Sequence, residues 1–393
     1  MSYPLSPFIA HTTKMPFRID VEKAEGVYIY DKAGNKYLDF ISGISVSNIG
    51  HRHPKVVSAI RHQLDLYMHT MVYGEFFQDP QINLAEKLHR ILPEGLDVSY
   101  FVNSGTEANE AALKLAKRYT GRHRLVSFIG AYHGNTHGSM SVSYNETKKA
   151  PFRPLLPGVD FIRFNEKEDL KYITHETAGV IIEPIQGDAG VRIPSPDYLI
   201  SLKKRCNEVG ALLIFDEIQT GFGRTGKLFA FEHYGVVPHI LTIAKGFGGG
   251  MPIGAFVSSK EIMDTLTVDP ALGHITTFGG HPVNCAAALA NLEVLLGNDQ
   301  DLIRKAEAKG ELIERLLQHD EVIEIRRKGL FFAIQMKDAH TVAKVVNGCK
   351  EKGLLSYWFL SNPDSFRIAP PLTISVEEIQ TGCGIIQEVF SEL

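Results

Sequence analysis

From about residue 54, short apolar segments alternate with stretches of helical spacing, and no other feature constrains the fold of this chain as much. Residues 54–69 and 80–91 carry apolar positions three and four apart, and Pro80 suits a first helical turn. A strand over 99–102, a helix over 106–119 and strands over 124–128 and 179–183 come next. They are followed by a helix over 196–209 and strands over 211–215, 240–244 and 254–258. Several of these strands are continuous apolar runs, which predicts burial on both faces. The expected fold is therefore α/β, a mainly parallel sheet sandwiched by helices. Ligands of such sheets collect beyond the carboxyl ends of the strands, so the residues just past each strand deserve the closest reading.

The pattern changes after His281. Helices over 282–296 and 302–319 precede strands over 321–326 and 330–336, a further helix, a strand around Phe366 and a last apolar helix over 376–389. At the other end, strands over 27–30 and 36–40 flank a turn at Asp31–Asn35. This predicts a large domain over 50–285 and a small α+β domain built from 1–49 and 286–393.

Composition narrows the function classes. A net charge of −4 offers no basic surface for nucleic acid or anionic membrane. The longest apolar stretches, such as 211–215, are too short to span a bilayer. Residues 1–7 lack the basic start and apolar run of a secretory signal. Cys206, Cys285, Cys349 and Cys383 are too widely spaced for a zinc site, so no metal is expected, and they read as reduced, buried thiols of a cytoplasmic protein.

Three strand ends carry candidate chemistry. The run 211–215 leads directly into Asp216 and Glu217; taken alone, an acidic residue there is an ordinary cap or turn. The run 240–244 ends at Lys245, followed by Gly246-Phe247-Gly248-Gly249-Gly250. A partly desolvated lysine loses its proton readily and can attack a carbonyl to form a Schiff base, although a solvated lysine on a glycine loop fits equally well. The third end is Asn103-Ser104-Gly105-Thr106-Glu107, where free amides and hydroxyls at a helix start suit a phosphate, or serve as a plain N-cap.

Gly221-Phe222-Gly223-Arg224-Thr225-Gly226 matches a dinucleotide fingerprint, and with Lys227 it nearly matches a phosphate-binding loop. Leu228 stands where the Mg²⁺-binding hydroxyl belongs, and Asp216 and Gln219 separate the strand from the glycines. A nucleotide site is rejected on both counts.

Together these stretches resemble the class III aminotransferases, the group that holds acetylornithine, ornithine and 4-aminobutyrate aminotransferases. The resemblance rests on motifs at Ser104-Gly105-Thr106, Tyr132-His133-Gly134, Glu183, Asp216 with Ile218-Gln219, Lys245, Thr277 and Arg367. They occur in family order and run from about Gly26 to the carboxyl terminus. The resemblance implies a pyridoxal-phosphate enzyme of fold type I working as a homodimer. Lys245 would hold the cofactor as a Schiff base, and Asp216 would pair with the pyridine nitrogen. Tyr132 and Ile218 would flank the ring, with His133 in the same motif. Gln219 would bond the phenolic oxygen. Ser104, Gly105 and Thr106 would hold the phosphate, joined by Thr277 of a second copy. Arg367 would grip a substrate carboxylate, with Glu183 behind the site. The implied reaction is a ping-pong transfer from an ω-amino or ornithine-like donor to a 2-oxo acid. An aminomutase of the same fold, or a binding protein without turnover, are the alternatives.

Two positions depart from the family pattern. Asn135 stands where many relatives place an arginine for a distal carboxylate, which leaves another arginine, such as Arg153 or Arg163, to substitute. Asp188 stands where a glutamate is usual. One methylene shorter, it is expected to reach Arg367 only through water, or not at all.

Overall fold

The computed structural model describes residues 8–14, 16–72 and 74–393, so the amino-terminal stretch read for a secretory signal lies outside the described residues. Among these residues the strands form three sheets. The first begins with β1 (Val21–Glu25), β2 (Tyr28–Asp31) and β3 (Lys36–Asp39), antiparallel neighbours. Asp31 closes the expected turn by accepting from the amides of Ala33 and Asn35 at 3.0 and 2.8 Å. Strand β1 was not expected from the sequence; its residues Val-Glu-Lys-Ala-Glu are mostly exposed and leave no apolar alternation to read.

Helices α1 (Pro54–Leu66) and α2 (Asp79–Ile91), each with proline in its first turn, lead to the central sheet. That sheet takes in β4 (Val98–Val102), then helix α3 (Gly105–Thr120), β5 (Arg124–Phe128), β6 (Val159–Ile162) and β7 (Thr177–Ile182). Helix α4 (Pro196–Val209), β8 (Leu212–Asp216), β9 (Ile240–Ile243) and β10 (Gly254–Ser258) complete it. The spatial order is β4-β10-β9-β8-β7-β5-β6. The pairs from β6 to β9 are parallel, whereas β10 runs against both neighbours. Edge strand β6 escaped the sequence reading because Val159-Asp160-Phe161-Ile162 is short, interrupted by a charge and only partly buried.

Every residue of β7 to β10 is buried. Successive side chains go to opposite faces. Leu213 and Phe215 join Tyr198, Leu199 and Leu202 of α4 in one core, while Leu212 and Ile214 join Ala111, Ala112 and Leu115 of α3 in the other. Each Leu, Ile or Phe side chain among them contributes about 1.5–3 kcal/mol on burial, so the two layers fix the strand order firmly.

Helix α5 (Pro282–Leu316) is one element broken at Gly297–Gln300, where backbone angles leave the helical region, and this break separates the two helices expected there. The chain continues through β11 (Glu324–Lys328), β12 (Phe331–Gln335), α6 (Ala339–Glu351), β13 (Leu354–Leu355), β14 (Tyr357–Trp358), β15 (Ser365–Ile368) and α7 (Val376–Phe390). Strand β13 adds to β3 in parallel, which joins the two ends of the chain in one sheet. The remaining sheet has the order β11-β12-β15-β14 and presents Arg367. All four cysteines are free and buried. Among the described residues no helix is long and apolar enough to cross a membrane.

Candidate active site

The carboxyl ends of β4, β5, β7, β8 and β9 open on one side of the sheet, and β10, being reversed, brings its amino end to the same side. The cavity there has a volume of about 450 Å³, and its lining includes Ser104, Thr106, Tyr132, Asp216, Gln219 and Lys245. Gly105, His133, Asn135, Glu183 and Ile218 also line it.

Lys245 follows β9 with its backbone in the left-handed region, φ 47°. That conformation costs a non-glycine residue about 1–2 kcal/mol, so the surrounding packing holds it there. Burial pushes its amine pKa down, and Asp216 opposes the shift. An amine so placed is more easily unprotonated and nucleophilic.

Asp216 ends β8 and is held on three sides. Its Oδ2 lies 2.7 Å from His133 Nδ1 and accepts from Asn109 Nδ2 at 2.7 Å, while Oδ1 accepts from the Ile218 amide at 3.0 Å. Asn109 in turn accepts from the Thr242 hydroxyl at 2.8 Å. Asn109 is a partner of Asp216 that the sequence alone did not identify. The available signal was its place near the start of α3, one turn beyond Thr106, on a helix that packs on the sheet.

Ser104 caps α3 by accepting from the Glu107 amide at 3.3 Å, leaving the first amides of a sixteen-residue helix directed at the cavity. Thr106 Oγ1 lies 2.6 Å from Ser139 Oγ. Close approach demands glycine here: a Cβ on Gly105 would meet Ile218 Cδ1 at 2.8 Å, and one on Gly134 would meet Thr106 Oγ1 at 2.4 Å.

Glu183, just past β7, accepts from the amides of Tyr132 and Gly187 at 3.1 and 2.8 Å, and burial raises its pKa to about 7. Arg367 reaches Asp188 directly, Nη2 to Oδ1 at 3.2 Å, and lies over the Phe359 ring at 4.3 Å. This corrects the expectation of a water-bridged or absent contact. The shorter side chain is compensated because the loop after β14 anchors Asp188 Oδ1 through the Leu360 amide at 3.0 Å. Arg153 and Arg163 do not substitute for the arginine missing at Asn135. Arg153 is held by Glu146 at 2.7 Å and Arg163 by Asp169 at 2.7 Å, and neither lines the cavity. Thr277 is exposed and also off this lining, with its carbonyl 2.9 Å from His69 Nε2. Gly221–Gly226 forms a turn in which the Gly226 amide donates to the Gly223 carbonyl at 3.1 Å.

The family model for class-III aminotransferases matches residues 8–390. The chain belongs to the class-III aminotransferases. It is 41% identical to an acetylornithine aminotransferase of Methanocaldococcus jannaschii, over 94% of this chain and 93% of the relative. With an acetylornithine aminotransferase of Archaeoglobus fulgidus the identity is 39% over 94% and 95%. Among solved structures, the ornithine aminotransferase of Toxoplasma gondii superposes with a TM-score of 0.90 at 31% identity, covering 98% of this chain and 92% of that one. A PLP-bound amine transaminase from an uncultivated Pseudomonas species gives 0.90 at 28%, covering 100% and 99%.

This class-III aminotransferase is thus a pyridoxal-phosphate-dependent transaminase. Its cavity fits that cofactor on its own terms. Gln219 Nε2 and His133 Nε2 are buried without a hydrogen-bond partner among the described residues, as are Arg367 Nε and Asp188 Oδ2. Buried polar atoms are rarely left so unless a ligand satisfies them. An amine, a carboxylate and a helix amino terminus are the groups needed for an aldehyde, a ring nitrogen and a phosphate.

Proposed function

We propose that this transaminase takes the amino group of an ω-amino donor of the ornithine type, N-acetylornithine foremost, and passes it to a 2-oxo acid by a ping-pong cycle. The observation that carries this reading is the cavity that brings Lys245 and Asp216 together, with the Arg367–Asp188 pair beside it. The names of the relatives quoted above support the choice of donor.

Each residue has a task in this reading. Lys245 would hold the cofactor covalently, and its Nζ, once free, would be a base able to take and return the substrate-carbon proton. Asp216, oriented by His133 and Asn109, keeps a proton on the ring nitrogen. The bound cofactor supplies a conjugated ring that accepts the electron pair left on the substrate carbon. Tyr132 and Ile218 would flank that ring, Gln219 would donate to its phenolic oxygen, and Ser104, Gly105 and Thr106 would hold the phosphate. Arg367 grips a substrate carboxylate, and Asp188 neutralises it when the donor presents none; Glu183 supports Tyr132, and Asn135 borders the substrate. Thr277 joins the phosphate from a second copy in a homodimer. The domains divide near residues 50 and 285, and four free cysteines favour the cytoplasm.

The test is the visible spectrum of the protein with pyridoxal phosphate, followed by separate additions of ornithine, N-acetylornithine, 4-aminobutyrate and lysine. Conversion of the yellow band by N-acetylornithine, reversed by a 2-oxo acid, supports the proposal. A band that only a different donor converts replaces the substrate. Conversion that no oxo acid reverses favours an aminomutase.

A further inference from the structure

The glycine-rich turn at Gly221–Gly226 carries Arg224, a fully buried arginine that the proposed reaction does not use. The glycines fold the turn tightly inward. A Cβ on Gly223, whose φ is 87°, would stand 2.6 Å from Leu372 Cδ1. Arg224 Nη1 donates to the carbonyls of Leu330 at 3.0 Å and Pro370 at 2.5 Å, while Nη2 donates to Asn48 Oδ1 at 2.6 Å. Asn48, also buried, donates back to the Phe222 carbonyl at 2.9 Å, and its own carbonyl accepts from the Leu372 amide at 2.7 Å.

The two sides of this clasp lead to the two ends of the active site. Pro370 lies three residues beyond Arg367 on the same chain segment. Asn48 packs so closely on Gly246 that a Cβ there would meet Asn48 Nδ2 at 2.5 Å, and Gly246 adjoins Lys245. Two residues before Asn48, Val46 lines the cavity itself. A guanidinium is suited to this task because its planar fork bonds several acceptors in fixed directions, whereas an ammonium does not fix them.

We infer that Arg224 and Asn48 are positioning residues that set the carboxylate grip of Arg367 against the amine of Lys245. The clasp touches neither substrate nor cofactor. It acts by tying the segment after β15 to Gly246, the first residue of the glycine loop that follows Lys245, so that a carboxylate on Arg367 brings the reacting amine to register. This rests on the reading of Arg367 as the carboxylate site.

Two probes separate positioning from a merely structural role. Aminooxyacetate carries a carboxylate and hydroxylamine does not. In both, the probe nitrogen would form the new C=N bond, the C–N bond to Lys245 Nζ would break, and both protons lost by the probe's NH2 would pass to Nζ, which leaves as the free amine. Loss of the visible band of the holoenzyme reads each rate. Wild-type protein is expected to prefer aminooxyacetate, and Arg367→Ala to lose that preference. Arg224→Lys and Asn48→Ala should each reduce it at least tenfold, with the hydroxylamine rate within twofold of wild type and a cooperative melt. The clasp is refuted if Arg367→Ala loses the preference while both other variants keep it, or if they slow the two probes equally. No preference in wild type, or one unchanged in Arg367→Ala, would instead overturn the Arg367 reading. Asn48→Ala carries the test alone should Arg224→Lys fail to fold.

Discussion

His133 Nδ1 lies 2.7 Å from Oδ2 of Asp216, with both side chains buried at the end of β8. The same carboxylate oxygen accepts from Asn109, so Asp216 cannot rotate without breaking contacts to two other elements. Such a carboxylate is a fixed charge, most useful while charge develops on the ring. Asp216→Ala is expected to lower kcat by at least a hundredfold, with a smaller loss of cofactor affinity. His133→Phe should keep the cofactor and lower kcat by about 10- to 150-fold, since about 1.5–3 kcal/mol is the usual worth of a hydrogen bond to a charged group. Single-turnover rates and cofactor titrations on both variants check this; a full-rate Asp216→Ala enzyme removes the assignment.

Lys245→Ala should retain the fold and lose transamination. Borohydride reduction should fix cofactor to the wild-type chain at Lys245 and not to the variant, read by mass spectrometry of the digested protein. Undiminished turnover by the variant would contradict the central assignment.

The central sheet was legible because its strands are nearly unbroken apolar runs ending in polar residues, as with 240–244 before Lys245. The edges were not. In β1 and β6 exposure allows polar residues, and the pattern disappears with the burial that produces it. Within the site, residues acting at strand ends could be read from position, but the partners of Asp216 could not. Asn109 and Thr242 become neighbours only when α3 packs across β8 and β9. Asp188 illustrates a different limit. Its reach to Arg367 depends on where the Leu360 amide anchors it, and chain length alone carries no such information.

The Asp188 contact predicts a substrate-dependent effect. Asp188→Ala leaves the buried Arg367 without its carboxylate. A donor that brings no carboxylate to Arg367 should then react at least 100-fold more slowly, matching about 3–5 kcal/mol for a buried charge left without its partner. The oxo acid, no longer competing with Asp188, should show a lower KM. Half-reaction kinetics with both substrates check the split; equal losses in the two half-reactions would assign Asp188 to structure alone.

Glu183 supplies a pH dependence of defined sign. Burial raises its folded-state pKa from 4.5 to about 7. Between those values the folded chain holds a proton that the unfolded chain has lost, so stability falls as pH rises. The contribution is fully present below about 4.5 and gone once pH has risen through about 7, amounting to about 3 kcal/mol at most. Glu183→Gln removes this titration, although its amide faces one of the two N–H donors with a donor of its own, a penalty that does not vary with pH. The melting temperature of Glu183→Gln relative to wild type should therefore rise between pH 5 and about 7 and level off by pH 8. A constant difference across that interval would mean that Glu183 is ionised throughout, with the Tyr132 and Gly187 amides outweighing its burial.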